Sequence, residues 1–309
     1  MFTSADNAAI TRTELDTVFF QAFEHADSDG AYSMATAENG KVFRQIPIDR
    51  AAYIGQINKG SGLWKKIGEI SQVPQSTPAV ANKFTVVVND YADGIELSKN
   101  LFDDNMHGVW SEDVRQFALM ARVTQDQEAF SIFRTATSTT LTPDGVAMCS
   151  ASHPLIGGGT QSNITAGPLS RTTLKAAIKI MRLMKNQAGV VMGMTAKYLL
   201  VPVAEWDNAI EVTQSVLVSD TANNAVNVFR SVYGLEVMTT PYLGSEVGGS
   251  DTNCFLLAAS HGIIRVVRQG VQTALRPWEM STNRTYFYQG NFRETVYVTD
   301  YSGLVLIGA

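Results

Sequence analysis

Few residues of this 309-residue chain have the types and spacing that chemistry requires, and the nearest such pair is Cys149 and His153. A thiol close to an imidazole could act as a nucleophile activated by its base. No recognised motif places an Asn or Asp to orient that base, and the small residues around the pair are typical of a turn. The sequence therefore favours a loop without catalysis, and a cytosolic hydrolase using Cys149 and His153 is the alternative.

Two further patterns that could bind a ligand are incomplete. The glycines at residues 157–159 could cradle a phosphate, but no Gly-Lys-Ser/Thr follows them and no buried strand precedes them. The histidines show no metal-ligand spacing; they are His25, His107, His153 and His261. Cys149 and Cys254 stand far apart, which predicts two reduced thiols. We predict no cofactor, no metal site and no enzymatic activity.

Four basic residues recur at steps of three and four, the spacing that places side chains on one helix face; they are Arg171, Lys175, Lys179 and Arg182. Such a face could contact the phosphates of packaged DNA without reading its sequence. The net charge of -5 and the absence of a Lys/Arg run give no long-range attraction for nucleic acid. The favoured interpretation is therefore a solvated helix face.

A helix at residues 14–26 would position the first aromatic face of the chain. Its pattern carries Phe19 and Phe23 on adjoining positions, and the turn-rich residues 27–40 that follow have no periodicity. A segment of this kind cannot form a core alone. We expect an N-terminal arm whose aromatic face docks on its own body or on another copy.

An extended hairpin is predicted next. β-branched and aromatic content favours strands at residues 63–70 and 83–90, joined by a polar stretch at 73–82 whose prolines would block edge-to-edge pairing. A two-stranded ribbon of this length is marginal in water without support. We therefore interpret Trp64 as an anchor that packs against an adjacent copy.

The longest helical signal runs over residues 111–135, with an N-cap at Ser111 and a one-sided apolar stripe. At 1.5 Å per residue this helix would be roughly 37 Å long. It could therefore span a domain as a strut.

The rest of the chain mixes helices with strands. A second helix is predicted from Ser170 to a C-cap at Gly189 and a third from Pro202 to Gln214, separated by a buried strand at 198–201. Five further strands are predicted, at 235–239, 254–259, 263–268, 293–299 and 304–307. This order suits an α+β protein.

The sequence also bears on location. No window reaches the ~20 apolar residues that a membrane span requires, and residues 1–10 lack the basic flank and apolar stretch of a secretion signal. We expect a protein made in the cytosol, with no membrane partner.

Four stretches carry a resemblance to a known family: VFFQAFEHA at 18–26, GIELSKNLFDD at 94–104, DGVAMCSASHPLIGGGTQSN at 144–163 and LLVPV at 199–203. They resemble the Mu-like branch of tailed-bacteriophage major capsid (major head) proteins, and the third stretch is the most specific. The resemblance runs from about residue 14 to the C-terminus. It implies the α+β fold of tailed-phage major capsid proteins (HK-ninety-seven-like), with an N-terminal arm, an extended β-hairpin loop, a spine helix, and peripheral and axial domains.

The resemblance implies domain limits as well. Residues 1–55 would form the arm and 56–105 the extended loop. The peripheral domain would comprise 106–148 and 270–309, with the spine helix at 111–135. The axial domain would be 149–269.

The function that the resemblance implies is a major capsid protein that self-assembles into hexamers and pentamers, which form the icosahedral head shell around the phage genome. The expected partners are other copies of the chain, a scaffold protein, a portal, a maturation protease or decoration protein, and packaged double-stranded DNA bound non-specifically. The expected location is the virion, after assembly in the host cytoplasm, as a late protein of a phage or prophage. Subunit contacts are expected at Phe19, Phe23, Trp64, Lys65, Lys66, Val73, Pro74 and Pro78.

A relative in this family crosslinks a loop lysine to a neighbour's asparagine, but no partner for Lys65 or Lys66 aligns in this chain. Two structural proteins are kept as alternatives. An encapsulin-type nanocompartment shell shares the architecture but encloses an enzyme, and a tail-tube subunit would also carry a hairpin.

Overall fold

The structure is a computed structural model that describes residues 4–28, 41–59, 63–67, 73, 80–100, 104, 107–216, 227–281 and 283–308. Its α-helices are α1 (Ser4–Ser28), α2 (His107–Arg134), α3 (Arg171–Leu183) and α4 (Trp206–Gln214). Its strands are β1 (Arg44–Pro47), β2 (Ala52–Asn58), β3 (Val80–Val87), β4 (Asn89–Ser98), β5 (His153–Pro154), β6 (Thr160–Gln161), β7 (Ile164–Thr165), β8 (Ala196–Pro202), β9 (Glu236–Thr240), β10 (Cys254–Ala258), β11 (Ile263–Arg276), β12 (Thr285–Val298) and β13 (Leu304–Ile307).

The first sheet has four strands in the order β1-β11-β12-β4. β11 and β12 are 14 residues long and antiparallel, and β1 joins β11 in parallel. Only 263–268 of β11 and 293–298 of β12 were predicted as strand. The rest of β11 alternates exposed with half-buried residues, so its apolar signal is weak.

The second sheet has five strands in the order β7-β13-β10-β8-β9. Its central strands are buried on both faces, which explains why they read as continuous apolar runs rather than alternating ones. Leu200 and Phe255 face the core shared with α2, whereas Leu199 and Leu256 face the core shared with α3 and α4. The predicted strands at 198–201, 254–259 and 304–307 are confirmed.

Helix α2 connects the two sheets, as the predicted strut at 111–135 requires. Trp110 and Val114 in its first half pack in the core of the first sheet, and Phe130 and Phe133 in its last turns pack against the second sheet. The apolar stripe therefore serves two cores in succession. The helix begins four residues before the predicted start.

Helix α3 begins as predicted and ends earlier than predicted. The Ser170 hydroxyl accepts a hydrogen bond from the Thr173 backbone, and the Thr173 hydroxyl accepts one from the Ser170 backbone, which forms a capping box. The prediction that Gly189 ends this helix is wrong, because the last helical residue is Leu183. Asn186 accepts hydrogen bonds from two following backbone N–H groups and so closes a separate turn, in which Gly189 adopts φ +85°.

The predicted pairing of the extended hairpin is wrong. β3 pairs with β2, in the register Tyr53 with Val86, and residues 63–67 form no strand. The reason is burial: Phe84 of β3 stacks on Tyr297 of the first sheet with ring centroids 5.3 Å apart and also contacts Tyr53. This pairing buries the aromatic face of the ribbon against the first sheet.

Two strands pair with a sheet outside the domain to which the expected domain limits assign them. β4, expected in the extended loop, pairs along its whole length with β12 of the first sheet. β13, expected with the peripheral residues, pairs with β10 and β7 of the second sheet. Both strands therefore extend the sheets beyond the expected boundaries.

Candidate functional site

The aromatic face of α1 docks on its own chain. Phe19 is 0% exposed and lies in one core with Leu15 and the α2 residue Val114. Its ring centroid is 5.7 Å from that of Phe117 and 6.1 Å from that of Tyr288. The expectation that Phe19 contacts another subunit is therefore wrong, because its own chain already covers it.

Asp16 fixes the register of α1 on the first sheet. Its Oδ1 accepts hydrogen bonds from the Thr273 hydroxyl at 2.6 Å and the Tyr288 hydroxyl at 2.8 Å. Arg12 lies one helical turn earlier, 3.4 Å from the other carboxylate oxygen of Asp16 and within 3.4 Å of the Thr273 carbonyl. A carboxylate with two hydroxyl donors at an apolar interface orients the helix more strictly than apolar contact does.

Phe23 is half-buried and covers a polar network that the sequence did not reveal. The Arg122 guanidinium lies 4.8 Å from the Phe23 ring centroid, and burial lowers the pKa of Arg122 to about 10. Beneath it, Glu294 accepts hydrogen bonds from Gln125 and Arg265. Burial raises the pKa of Glu294, although Arg265 opposes this shift. The network ties α2 to the first sheet through groups that sequence patterns assign to solvent.

The ribbon of β2 and β3 has one covered face and one open face. Tyr53 and Phe84 lie on the covered face, whereas Ile54 and Val87 on the other face are exposed. The described part of the chain offers no cover for these two apolar side chains. An exposed apolar face on a two-stranded ribbon is typical of a contact surface.

Residues 63–67 form the most exposed apolar segment among the described residues. Trp64 is 96% exposed, and Leu63 and Ile67 on either side are also exposed, as are Lys65 and Lys66. Val73 is exposed as well. Pro74 and Pro78 lie outside the described residues. The contacts expected at Phe23, Trp64, Lys65, Lys66 and Val73 stay predictions; Phe23 is half-buried, and the other four side chains are exposed.

The Ser-His-Pro loop is a buried structural cluster. His153 is 0% exposed; its Nδ1 lies 2.7 Å from Asp144 Oδ2, and its ring stacks on Tyr301 with centroids 3.8 Å apart. Burial of Asp144 opposes ionisation, but hydrogen bonds from His153, Thr142 and the Val146 backbone outweigh it and lower the pKa of Asp144. The cluster joins the 144–163 loop to the turn before β13.

Cys149 is not placed for nucleophilic catalysis. It lies in the core between α2 and the second sheet, and burial raises the pKa of its thiol. No hydrogen bond joins it to His153 in the described chain, because the His153 ring is held by Asp144 and Tyr301. Burial also raises the pKa of the Cys254 thiol to about 12. A neutral buried thiol is a poor nucleophile, so this pair has no catalytic arrangement.

The basic face of α3 is confirmed as a face of the helix. Lys175, Lys179 and Arg182 are exposed and Arg171 is half-buried, while Leu174, Ala177, Ile178 and Met181 on the opposite side are buried. The Arg182 guanidinium lies 5.1 Å from the Tyr233 ring centroid. The contact with DNA that this face could make stays a prediction.

Metal ligation and membrane insertion are two further properties on which the described ranges bear. No group of three or more His, Cys, Asp or Glu side chains there could hold a metal ion. Among the helices that the structure describes, none is long and apolar enough to cross a membrane.

The amino-acid sequence matches the model of one protein family over most of its length. The family model described as "Phage capsid protein" matches residues 82–307, which is more than two thirds of the chain. A search of curated protein sequences finds no match.

Solved structures show the same fold at low sequence identity. A structure from Microbacterium phage Oxtober96 has TM-score 0.56 and 12% identity, covering 90% of this chain and 91% of that one. The bacteriophage PhiM1 mature capsid has TM-score 0.56 and 10% identity, covering 86% and 85%. A virus-like particle from Pyrococcus furiosus has TM-score 0.54 and 9% identity, covering 96% and 98%. The described surfaces therefore belong to a fold that other chains use in closed shells.

Proposed function

This chain belongs to the phage capsid protein family and is a major capsid shell protein with the HK-ninety-seven-like fold, and from that premise we propose how it builds its shell. Copies join into hexamers and pentamers, which close into an icosahedral head around a phage genome. The observation that carries the proposal is the family match over residues 82–307, which includes the second sheet, α2 and every strand of the first sheet except β1. The proposed role is structural rather than enzymatic, because capsid proteins form the shell that encloses a genome.

The exposed apolar surfaces supply the physical reason for assembly. Trp64 and its neighbours, together with the open face of the β2–β3 ribbon, leave apolar area in water that another copy would cover. Closed packing of identical subunits satisfies such surfaces on every copy at once. We assign the contacts to Phe23, Trp64, Lys65, Lys66 and Val73, and also to Pro74 and Pro78, which lie outside the described residues.

The domain limits are part of the proposal, adjusted to the strand pairing. Residues 1–55 form the arm, which supplies β1 to the first sheet, and the extended loop ends where β4 enters that sheet. The peripheral domain contains the other strands of the first sheet and α2. The axial domain, built on the second sheet, also takes in β13.

The partners beyond other copies are proposed from the family's role. They are a scaffold protein, a portal, a maturation protease or decoration protein, and packaged double-stranded DNA bound non-specifically. Assembly would take place in the host cytoplasm before the subunit becomes part of the virion capsid, with the gene expressed late from a phage or prophage. Membership of the Mu-like branch rests on the four matching stretches of sequence.

An encapsulin-type nanocompartment shell is the second candidate, favoured by the likeness to the virus-like particle from Pyrococcus furiosus. The two functions differ in what the shell contains, which is nucleic acid in one case and a cargo enzyme in the other. A tail-tube subunit has no comparable support.

Electron microscopy of the purified chain tests the proposal. We expect capsomers or icosahedral particles, and nuclease-protected DNA inside particles isolated from an infected or induced host. A chain that stays monomeric across a wide range of concentrations would contradict the proposal. Open tubes would favour the tail protein, and an enclosed enzyme would favour the nanocompartment.

A further inference from the structure

A cleft of about 640 Å³ opens on the axial domain between α3 and the π-helical turn Phe229–Tyr233. Lys175, Lys179 and Arg182 form its basic side. The rest of its lining is mainly apolar and includes Leu183, which is 53% exposed, and Val228. This surface, the basic cleft, combines cations with uncovered apolar area.

The combination favours a protein partner over nucleic acid. Phosphate binding needs cations but gains little from apolar walls. Val232, beside the cleft on the same turn, is 67% exposed. The cleft and its rim therefore expose more apolar side chains than is typical of a solvated helix face. Arg182 is already held over the Tyr233 ring, which leaves Lys175 and Lys179 as the cations directed to a partner. The fitting occupant is a segment that carries carboxylates beside apolar side chains.

A segment of that description lies on the same domain. The exposed surface of α4 and the turn before it carries Val203 and Trp206, with Asp207 and Glu211 four residues apart. Trp206 is 45% exposed. The spacing of the two carboxylates equals that of Lys175 and Lys179, so two helices lying side by side could pair both charges while Trp206 enters the cleft. We call this surface the acidic helix face.

The two helices that carry these surfaces lie on the same face of the second sheet and share one core. α3 packs mainly toward β7 and β13 near one edge of the sheet, whereas α4 packs toward β8 and β9 near the other edge. A surface that fits a different surface of an identical copy makes a head-to-tail contact, and repetition of that contact closes a ring when the rotation allows it. We infer that the acidic helix face of one subunit occupies the basic cleft of the next subunit around each capsomer. This inference rests on the proposed capsid function.

Charge reversal tests the contact. Lys175→Glu with Lys179→Glu reverses the cleft, and Asp207→Lys with Glu211→Lys reverses the helix face. Either double variant alone should raise the threshold concentration for capsomer formation about tenfold or more, because like charges then meet at the contact. The quadruple variant restores opposite charges and should assemble near the wild-type threshold. Lys185→Glu with Lys197→Glu, exposed residues outside the cleft, is the control for net charge and should assemble normally.

Mixing the two double variants gives a second readout. Each contact between unlike variants then joins opposite charges, so hexamers in which the two variants alternate should form. Alternation is impossible in a ring of five, so the mixture should yield hexamers and open sheets rather than closed heads. Failure of the quadruple variant and of the mixture to recover, with every variant folded by circular dichroism, would overturn the inference.

The remaining outcomes separate the inference from its premise and from the DNA alternative. Normal assembly by both double variants would overturn the contact, while shells formed by the wild-type chain would still uphold the capsid function. Normal assembly with reduced DNA retention, seen only in the Lys175→Glu and Lys179→Glu variant, would overturn the contact in favour of a DNA-facing α3. A wild-type chain that never assembles would instead refute the proposed function itself.

Discussion

Replacing Trp64 with alanine should weaken assembly without weakening the subunit. Trp64 is 96% exposed in the single chain, so its removal costs the isolated fold almost nothing. Burying a Trp side chain in a subunit contact removes about 150–250 Å² from water, which at about 25 cal/mol per Å² corresponds to about 4–6 kcal/mol. Ordering costs and the remaining Cβ reduce the net loss to about 2–4 kcal/mol per contact.

That loss should raise the threshold concentration for assembly by about 30- to 700-fold. Light scattering and sedimentation over a concentration series measure the threshold, and urea unfolding below it measures subunit stability. Trp64→Phe keeps most of the apolar area and should recover much of the assembly. Trp64→Ala forming shells at the wild-type concentration would refute the reasoning.

Phe19→Ala is the matched contrast, because it removes an aromatic side chain that its own chain buries. It should destabilise the unassembled subunit by about 3–5 kcal/mol. Equal effects of the Phe19 and Trp64 substitutions on urea unfolding would show that the exposed and buried aromatics had been assigned incorrectly.

Three further predictions concern the interior. The folded pKa of Asp144 lies below the usual 3.8, so its ionised form stabilises the fold above that pH, and this stabilisation is lost as the pH falls further. Asp144→Asn should therefore lower the melting temperature at pH 6, and the difference from wild type should shrink below pH 3.8. A difference that stays constant with pH would argue against this linkage. Arg265→Met alone should cost about 3–5 kcal/mol in urea unfolding, because it removes the cation that pairs directly with buried Glu294. Adding Glu294→Leu should recover much of the loss, and no recovery would exclude a coupled pair. Cys149 should react with a thiol reagent only after denaturant is added, because it is buried and its thiol is neutral; rapid labelling of the native chain would contradict its placement.

Strands and helices with a strong apolar signal could be predicted from the sequence. β10 and β13 are continuous apolar runs buried on both faces, and α2 carries an apolar stripe along its length. In each case the local apolar pattern agrees with the burial in the folded chain, so the pattern alone is enough to predict the element.

Pairing and polar burial could not be predicted in the same way. The partner of β3 depends on Phe84 meeting Tyr297, more than 200 residues later in the chain, and no local pattern records that contact. Arg122 and Glu294 are charged residues that sequence reasoning assigns to solvent, yet both are buried. Trp64 and the basic face of α3 are exposed, and their contacts stay predictions. The expectation at Phe19 was wrong, because an apolar helix face in the sequence does not distinguish docking on its own chain from docking on another copy.

β13 is the last strand along the described chain, and it completes the second sheet. β13 lies between β7 and β10, and its Val305 and Ile307 complete the core on which α3 and α4 rest. A nascent or truncated chain that lacks residues 304–307 leaves the edges of β7 and β10 unpaired, and the core beneath α3 and α4 is then incomplete. We therefore expect a chain truncated before residue 304 to lose the support of the basic cleft and the acidic helix face and to join capsomers poorly.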